Sequence, residues 1–482
     1  RKGCHELTGS IRRPTRLHRH RAVRIRREDR EPVNTAAAIG SPATSGNVRM
    51  RDAVLALVEP DRVHRDLYLS AELYALEQRH FFANTWNYLG HASQVPNAGD
   101  YLTETIAGRP LVMVRQPDGG VRVLYNRCAH KGTRLVTDAS GNVGRHFRCP
   151  YHAWTYRLDG APMGVPLKAG YEGTGLEACE SGRGMAALRH VAVHRDFVFV
   201  KLNDAGPGFE DYFGAALKSI DDMVDRSPLG RLQIAGGCLR SVIRCNWKMY
   251  LENINDTVHP MSTHQSAVDA AHALWKDHPA DEPKPMAMEQ ILPFGAGYDF
   301  FDQMGGRVYP NGHSVLGTRF SIHSGYAQLP EYAAAMTAAH GAARAAEVLE
   351  RSPQNSVLFP SLSVKGSPQA IRVIRPLAVD RTLVEAWSFR AEGAPELLFE
   401  RTQTYNRLVF SPMSVVAHDD MHLFESIQQG LAADGNHWVS LHRNHTAAER
   451  SDATQETNGT NELLMRNQFR AWARFMTLDM AH

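Results

Sequence analysis

Two short pairs of metal-binding side chains constrain this 482-residue chain more than any other feature of its sequence. Cys128 and His130 form the first pair, Cys149 and His152 form the second, and residues 131–148 lie between them. This spacing predicts two opposing loops that direct four ligands at one metal site. The six cysteines of the chain are scattered, which argues against a secreted disulfide framework and favours a reducing compartment.

The composition of the pairs distinguishes three interpretations. A structural zinc site usually has both cysteines in one pair and both histidines in the other, whereas each pair here mixes the two residue types. A Rieske [2Fe–2S] centre has two thiolates on one iron and two imidazoles on the other, so each mixed pair can send one ligand to each iron. The third interpretation is a chance arrangement. The spacing favours the Rieske centre over zinc and over chance.

A second group of metal-binding residues follows in NWKMYLENINDTVHPMSTH, residues 246–264. Asp256 and His259 are three residues apart and are predicted to share one face of a helix. His264 would miss that face on a straight helix, but Pro260 interrupts the helix and can turn His264 back towards His259. Two histidines and a carboxylate from elsewhere would form the facial triad of non-haem Fe(II) oxygenases, which leaves open positions for O2 and substrate.

The motifs CAHKG and CPYHAWTY resemble the Rieske domain of aromatic-ring-hydroxylating oxygenases. With the second group, the resemblance to their alpha subunit covers the chain from about Asp61 onwards. Respiratory Rieske proteins differ, because extra loop cysteines form a disulfide where this chain has Thr133 and Tyr151. Two departures from the family pattern are a slightly long gap between the pairs and Ala153 in place of a glycine.

The resemblance implies roles for the predicted metal-binding residues. The ligands of one [2Fe–2S] cluster per chain would be Cys128 and Cys149 on one iron, and His130 and His152 on the other. Asp256 would connect His152 of a neighbouring subunit to His259 as an electron-transfer bridge, since a carboxylate that accepts N–H bonds from both imidazoles couples the two metals.

The third ligand of the mononuclear Fe(II), also one per chain, is expected from VVAHDDMHLFESIQQGL, residues 415–431. The family has an aspartate of this kind at the opening of a late helix. We assign Asp420 to the iron, together with His259 and His264. Asp419 is the competing choice, and we expect it to be the N-cap of that helix.

The hydrophobic pattern predicts an α+β fold. Residues 1–49, rich in arginine and histidine, are expected to form a disordered basic tail, and residues 50–87 an N-terminal helical part of the catalytic domain. Residues 88–204, with a hairpin at Asp118-Gly119-Gly120, predict an all-β Rieske [2Fe–2S] domain. Residues 205–482 predict a catalytic mononuclear-iron domain with an antiparallel sheet flanked by helices.

Several local features of the catalytic part are also predicted. Apolar residues at helical spacing indicate one helix over residues 67–87, and an alanine-rich segment indicates another over residues 330–351. His313, Arg319 and His323 are candidates to contact a substrate carboxylate, because arginine binds such groups at two points. The alternative for these three residues is an ordinary strand or loop position.

The resemblance implies a terminal oxygenase that dihydroxylates an aromatic substrate with O2, and we expect an aromatic acid of the benzoate, salicylate or terephthalate type. A Rieske monooxygenase or demethylase, an electron-transfer Rieske protein without oxygenase activity, and a zinc-bearing binding module are the alternatives. The chain has no GxGxxG motif, so NAD(P)H oxidation is expected on a separate reductase, with or without a ferredoxin. Family architecture implies a homotrimer, or an α3β3 assembly with a small subunit.

Composition excludes other classes of function. The formal net charge of +3 is close to balance, which argues against a nucleic-acid partner. No run of 18 apolar residues exists, so no membrane span is predicted and a cytoplasmic location is expected.

Overall fold

A computed structural model describes residues 43–176, 183–325, 328–450 and 453–480. Most of the predicted tail lies outside these residues. The first described helix begins at Ala43, so the prediction of a disordered tail up to residue 49 is wrong at its end. Val54, near the end of this helix, is buried in the core. Once one turn of a helix has formed, each further turn costs little, so the helix can extend from this buried end back to Ala43.

The regular elements of the described residues alternate between short strands and helices. The strands are β1 Arg62–His64, β2 Asn87–His91, β3 Asp100–Ile106, β4 Arg109–Arg115, β5 Val121–Tyr125, β6 Ser140–Asn142, β7 His146–Arg148, β8 Thr155–Arg157, β9 Pro162–Gly164, β10 His190–His194, β11 Phe197–Lys201, β12 Leu232–Ile243, β13 Gly306–Val308, β14 Ser314–Leu316, β15 Asn355–Leu358, β16 Leu362–Lys365, β17 Ala370–Ala378, β18 Arg381–Ala391, β19 Trp438–Ser440 and β20 Gln455–Thr457. The α-helices are α1 Ala43–Leu55, α2 Asp66–Leu69, α3 Ala71–Leu76, α4 Phe209–Phe213, α5 Lys218–Val224, α6 Trp247–Ile254, α7 Pro260–Thr263, α8 Gln265–Trp275, α9 Met286–Ile291, α10 Tyr298–Gln303, α11 Pro330–His340, α12 Ala342–Glu350, α13 Glu396–Val409, α14 Ala417–Leu431 and α15 Leu463–Met476.

The front part of the chain consists of small antiparallel sheets. Their orders are β5-β4-β3-β6, β7-β8-β9 and β10-β11-β2. The predicted hairpin at Asp118 is confirmed, because β4 pairs antiparallel with β5 and Gly119 has the positive φ of +85° that the turn requires. The Gly120 N–H donates to Asp118 Oδ1 at 2.9 Å and closes that turn.

The later part is built on one eight-stranded antiparallel sheet of order β12-β18-β17-β16-β15-β14-β13-β20. Helices flank it, as predicted for the α+β class. The hairpin of β17 and β18 lies next to the edge strand β12, with Arg372 opposite Ala386 and Val373 opposite Glu385. Neighbouring residues of a strand face opposite sides of the sheet, so this register decides which charged side chains face the helices that cover the site.

Two predicted long helices are interrupted. The helix expected over residues 67–87 is divided into α2, α3 and a short π-helix, Glu77–Phe81, and Ser70 caps α3 by accepting a hydrogen bond from the Leu73 N–H. The helix expected over residues 330–351 is divided at Gly341, whose φ is +79°. A serine cap and a glycine in the left-handed region both end one helix and begin another.

Candidate metal centres and active site

The structure brings the four predicted cluster ligands to one place. The first loop follows β5 and the second joins β7 to β8. The His130 and His152 ring centroids are 4.7 Å apart, and the Cys149 side chain is within hydrogen-bonding reach of Cys128. Both cysteines are buried, His130 is half-buried and His152 is exposed. The two sulfurs therefore lie inside the domain, and the imidazoles lie towards its surface.

The two loops share one backbone pattern. In the first loop, the Cys128 N–H donates to the Thr133 carbonyl at 2.8 Å and the Gly132 N–H donates to the Cys128 carbonyl at 3.0 Å. In the second loop, the Cys149 N–H donates to the Trp154 carbonyl at 2.8 Å and the Ala153 N–H donates to the Cys149 carbonyl at 3.0 Å. Gly132 has a φ of +79° and Ala153 a φ of +55°. Ala153 thus adopts the left-handed conformation that a glycine would adopt more easily, at a cost of about 1–2 kcal/mol.

The side chains around the sulfurs fit an iron–sulfur cluster. Tyr156 Oη lies 3.0 Å from Cys128 Sγ and accepts a hydrogen bond from the Ala129 N–H at 3.1 Å. Burial would raise the pKa of the Cys128 thiol, but the hydrogen bonds from Tyr156 and nearby backbone N–H groups outweigh burial and lower it. His130 Nδ1 is buried and has no hydrogen-bond partner. A favoured Cys128 thiolate and an imidazole nitrogen without a partner are donors of the kind that this cluster needs.

The residues of the second predicted site come together, but the local backbone structure that positions them differs from the predicted helix. Helix α6 ends before Asp256, so Asp256 and His259 do not share a helix face. Asp256 Oδ1 instead accepts the Val258 N–H at 2.7 Å, and this turn places Asp256 Oδ2 3.2 Å from His259 Nδ1. Pro260 begins α7 rather than interrupting a helix, because proline is well tolerated at the first helical position. One helical turn then brings the His264 ring within 5.5 Å of the His259 ring.

His259, His264 and Asp420 converge on one point. Asp420 Oδ1 lies 3.4 Å from His264 Nε2 and 3.7 Å from His259 Nε2, and one ligand atom from each residue lies within 4.8 Å of the others. Burial would lower the pKa of His259, but Asp256 and Asp420 outweigh burial and raise it. The site thus attracts positive charge, and two imidazoles with one carboxylate are the ligand set of mononuclear iron.

Asp419 is not the N-cap of its helix, contrary to the expectation. Helix α14 begins at Ala417, whose N–H donates to Ser414 Oγ at 3.0 Å, so the helix starts earlier than predicted. Asp419 Oδ2 lies 3.6 Å from His264 Nδ1. Each histidine therefore presents Nε2 to the common point. Asp256 lies within hydrogen-bonding distance of His259 Nδ1 and fixes the tautomer of that imidazole, whereas Asp419 is too far from His264 Nδ1 for a hydrogen bond.

A cavity opens beside these three residues and encloses about 740 Å³, counted with its opening. Aromatic and aliphatic side chains form much of its wall: Ile243, Tyr250, Phe294, Ile322, Val384, Val409, Phe410 and Phe424. Asn253, Lys365 and Arg372 are among the polar residues of the wall that were not predicted. Asn253 Nδ2 lies 3.1 Å from His259 Nε2 and 3.3 Å from Asp420 Oδ1, while Lys365 and Arg372 line the cavity from the sheet. No motif marks them, because their environment depends on distant elements.

The predicted substrate contacts lie outside the cavity wall. His313 is fully buried, and its ring nitrogens contact the Tyr212 carbonyl at 2.8 Å and the Phe359 N–H at 2.9 Å. Burial lowers the pKa of His313 to about 4, as expected for a neutral structural histidine. Arg319 is exposed, and His323 is buried with Nε2 3.2 Å from Lys365 Nζ.

Comparison with known proteins identifies the family. The Rieske [2Fe-2S] domain model matches residues 85–176, and the ring hydroxylating alpha subunit (catalytic domain) model matches residues 212–477. The chain therefore belongs to the ring-hydroxylating alpha-subunit family of Rieske oxygenases. It is a terminal-oxygenase subunit with a [2Fe–2S] domain and a mononuclear-iron domain. Within the described ranges, no helix has the length and apolar character needed to cross a membrane.

Individual relatives match over most of the chain. The alpha subunit of toluate 1,2-dioxygenase from Pseudomonas putida is 28% identical over 80% of this chain and 86% of its own length. The large subunit of anthranilate 1,2-dioxygenase from Acinetobacter baylyi is 30% identical over 80% of each chain. The solved structure of naphthalene 1,2-dioxygenase with bound indole has a similar fold, with a TM-score of 0.71 and 22% identity over 87% of this chain and 94% of that chain.

Proposed function

We propose that this chain is the oxygenase component that dihydroxylates an aromatic acid, using O2 and electrons from a separate NAD(P)H-dependent reductase, with or without a ferredoxin. The observation that carries the proposal is the convergence of His259, His264 and Asp420 beside a largely apolar cavity. The names of relatives such as toluate and anthranilate dioxygenases support an acid substrate. When bound, the mononuclear iron would activate O2.

We assign the protein residues the following roles. Cys128 and Cys149 would hold one cluster iron, and His130 and His152 the other. His259, His264 and Asp420 would hold the mononuclear iron through Nε2, Nε2 and a carboxylate oxygen. The apolar wall would exclude water and orient the ring of the substrate.

Asp256 would be the electron-transfer bridge. Its Oδ2 lies 3.2 Å from His259 Nδ1, which supports a hydrogen bond from the imidazole N–H to the carboxylate. This bond would place the proton on Nδ1 and leave His259 Nε2 unprotonated as a ligand for iron. Asp256 would also contact His152 of the partner subunit and so connect the two imidazoles. Residues 88–204 would then act as the electron-carrying domain for residues 205–482 of a neighbouring copy, in a homotrimer or an α3β3 assembly.

The iron assignment is tested by metal content. We expect about three irons per chain in the wild type and about two in Asp420→Ala, with the visible spectrum of the cluster retained in both. Asp419→Asn is the matched control and should keep about three irons, because this carboxylate lies 3.6 Å from Nδ1 of His264, beyond hydrogen-bonding distance, and does not face Nε2. Equal iron content in Asp420→Ala and the wild type would contradict the proposal.

The reaction is tested by identifying products. Purified protein, a reductase system and a panel of aromatic acids should yield a cis-dihydrodiol that contains both atoms of labelled O2. A phenol or a lost methyl group would indicate a monooxygenase or demethylase instead. Asp256→Asn should retain both metal centres and lose product formation, since it changes only the bridging carboxylate.

A further inference from the structure

The cavity has a cationic end that the metal-binding residues do not explain. Ser363 pairs with Arg372 and Lys365 pairs with Ala370 across β16 and β17, so Lys365 and Arg372 lie on the same face of the sheet. Both side chains line the cavity that also contains His259 and Asp420. Lys365 is only 5% exposed and Arg372 only 6%, so both charged groups have been removed from water.

Neutral groups surround the Arg372 guanidinium and the Lys365 amine. Arg372 Nη2 donates to Asn355 Oδ1 at 2.7 Å and to Ser363 Oγ at 3.1 Å, and Arg372 Nε is buried without a hydrogen-bond partner. Lys365 Nζ donates to the Gln354 carbonyl at 2.9 Å. In the part of the chain that the structure describes, no aspartate or glutamate lies within 4.0 Å of either charged group.

A neighbouring arginine shows that this lack of an acidic partner is local. Arg375 lies on the opposite face of β17, is equally well buried, and contacts Glu104 and Glu385 at 3.1 Å each. Arg372 has no such partner because Glu385, opposite Val373, points away from the cavity. An uncompensated buried charge is strongly unfavourable, so a site that keeps one beside a cavity is suited to an anionic ligand.

The arrangement of charges gives the cavity two ends. Asp256 and Asp420 are the acidic residues of its wall, and both lie at the metal end. Tyr250 neighbours both ends, because its ring lies 5.7 Å from the Arg372 guanidinium and its hydroxyl is under the influence of the Asp420 charge. Burial, reinforced by the charge of Arg372, lowers the pKa of Lys365 well below its usual value, and an anion beside this amine would favour its protonated form.

We propose that Arg372 and Lys365 form the receptor for the substrate carboxylate and thereby select an aromatic acid over a neutral hydrocarbon. The inference rests on the proposed oxygenase function and adds the residues that determine its substrate class. The guanidinium would bind the carboxylate through its fork of N–H donors, and Lys365 would supply a second point of contact. The ring of the substrate would then extend along the apolar wall towards His259, His264 and Asp420.

Equilibrium binding without any electron donor tests this receptor. Benzoate, salicylate and terephthalate would each be titrated calorimetrically into the iron-loaded full chain, together with the corresponding neutral amides. At least one acid should bind at least about tenfold more tightly than its amide. Arg372→Gln should weaken binding of that acid by roughly 30-fold or more and leave amide binding within about threefold.

Three further variants keep the test informative. Arg372→Lys retains the charge without the fork and should give intermediate affinity, and Lys365→Met should weaken acid binding even if Arg372→Gln does not fold. Arg319→Gln is the control, because this arginine is exposed and lies outside the cavity wall. Equal affinity for acids and amides, or unchanged acid binding in both Arg372→Gln and Lys365→Met, would overturn the receptor.

These experiments distinguish a failure of the carboxylate receptor from a failure of the proposed oxygenase function. If acids bind as described but no hydroxylated product forms with a reductase, the receptor stands and the proposed oxygenase reaction fails. If products form from neutral aromatics with no preference for acids, the oxygenase stands and the receptor fails.

Discussion

Glu77 provides the sharpest test of how the N-terminal segment is attached to the later part of the chain. This residue begins the short π-helix and is 1% exposed. Its two carboxylate oxygens accept N–H bonds from Trp247 at 3.0 Å and Trp472 at 2.8 Å, and it forms an ion pair with Lys248. One carboxylate thus connects the start of the described chain to α6 and to the last helix, α15.

The loss of stability expected for Glu77→Gln follows from the buried charge of Lys248, which the substitution would leave without its partner. Lys248 is 3% exposed, and without Glu77 its ammonium retains the Leu67 carbonyl at 2.8 Å and Asn246 Oδ1 at 3.3 Å, which are both neutral. Loss of one partner of a buried ion pair typically costs about 3–5 kcal/mol. Burial already lowers the pKa of Lys248, so deprotonation of the amine limits the cost to this range.

The assay is urea unfolding followed by tryptophan fluorescence and far-UV circular dichroism, with agreement between the two signals required before free energies are compared. The double variant Glu77→Gln/Lys248→Met should be less destabilised than the sum of the single variants, because it leaves no uncompensated charge. Glu59→Gln breaks an exposed ion pair with Arg62 and should leave the unfolding midpoint unchanged. A cost below about 1 kcal/mol for Glu77→Gln, or strict additivity in the double variant, would refute the reasoning.

Two further predictions concern the cluster and the pH dependence of stability. Tyr156→Phe removes the hydroxyl that lies 3.0 Å from Cys128 Sγ, and should lower the reduction potential of the cluster by on the order of 50 mV in a redox titration. An unchanged potential would show that this hydroxyl does not stabilise the reduced cluster. Burial raises the pKa of Glu252 to about 7 despite the hydrogen bond from Tyr68. The folded state therefore keeps a proton that the unfolded state has lost, and stability falls as the pH rises from about 4.5 to about 7. Glu252→Gln should remove roughly 1–3 kcal/mol of this fall, and parallel stability curves for variant and wild type would contradict the assignment.

The candidate metal-binding residues, and the fact that the structure brings them together, could be predicted from the sequence because their chemistry is local. Cys128 and His130 lie on one loop, Cys149 and His152 on another, and a short spacing is enough to direct such pairs at one centre. His259 and His264 were predicted for the same reason. The path between them was not, because whether a helix continues through Asp256 or ends before it depends on the turn that the Asp256 carboxylate closes with the Val258 N–H.

The roles of Asp419 and Asp420 could not be separated from the local sequence alone. They are adjacent in the sequence and chemically identical, so only the start of α14 and its rotation against α7 decide which carboxylate faces Nε2 of His264 and which faces Nδ1. The expected N-cap was wrong because Ser414 already supplies a hydrogen-bond acceptor at the start of that helix.

The sequence by itself therefore determined the class of protein, the two candidate metal-binding groups and the α+β architecture, since these depend on residue types at short spacings. Only the tertiary structure decided what surrounds the substrate cavity. Arg372 and Arg375 are indistinguishable within AIRVIRPLA, yet one faces the cavity without an acidic partner and the other contacts Glu104 and Glu385. Strand register and the elements covering each face of the sheet produce this difference, and both depend on residues far away along the chain.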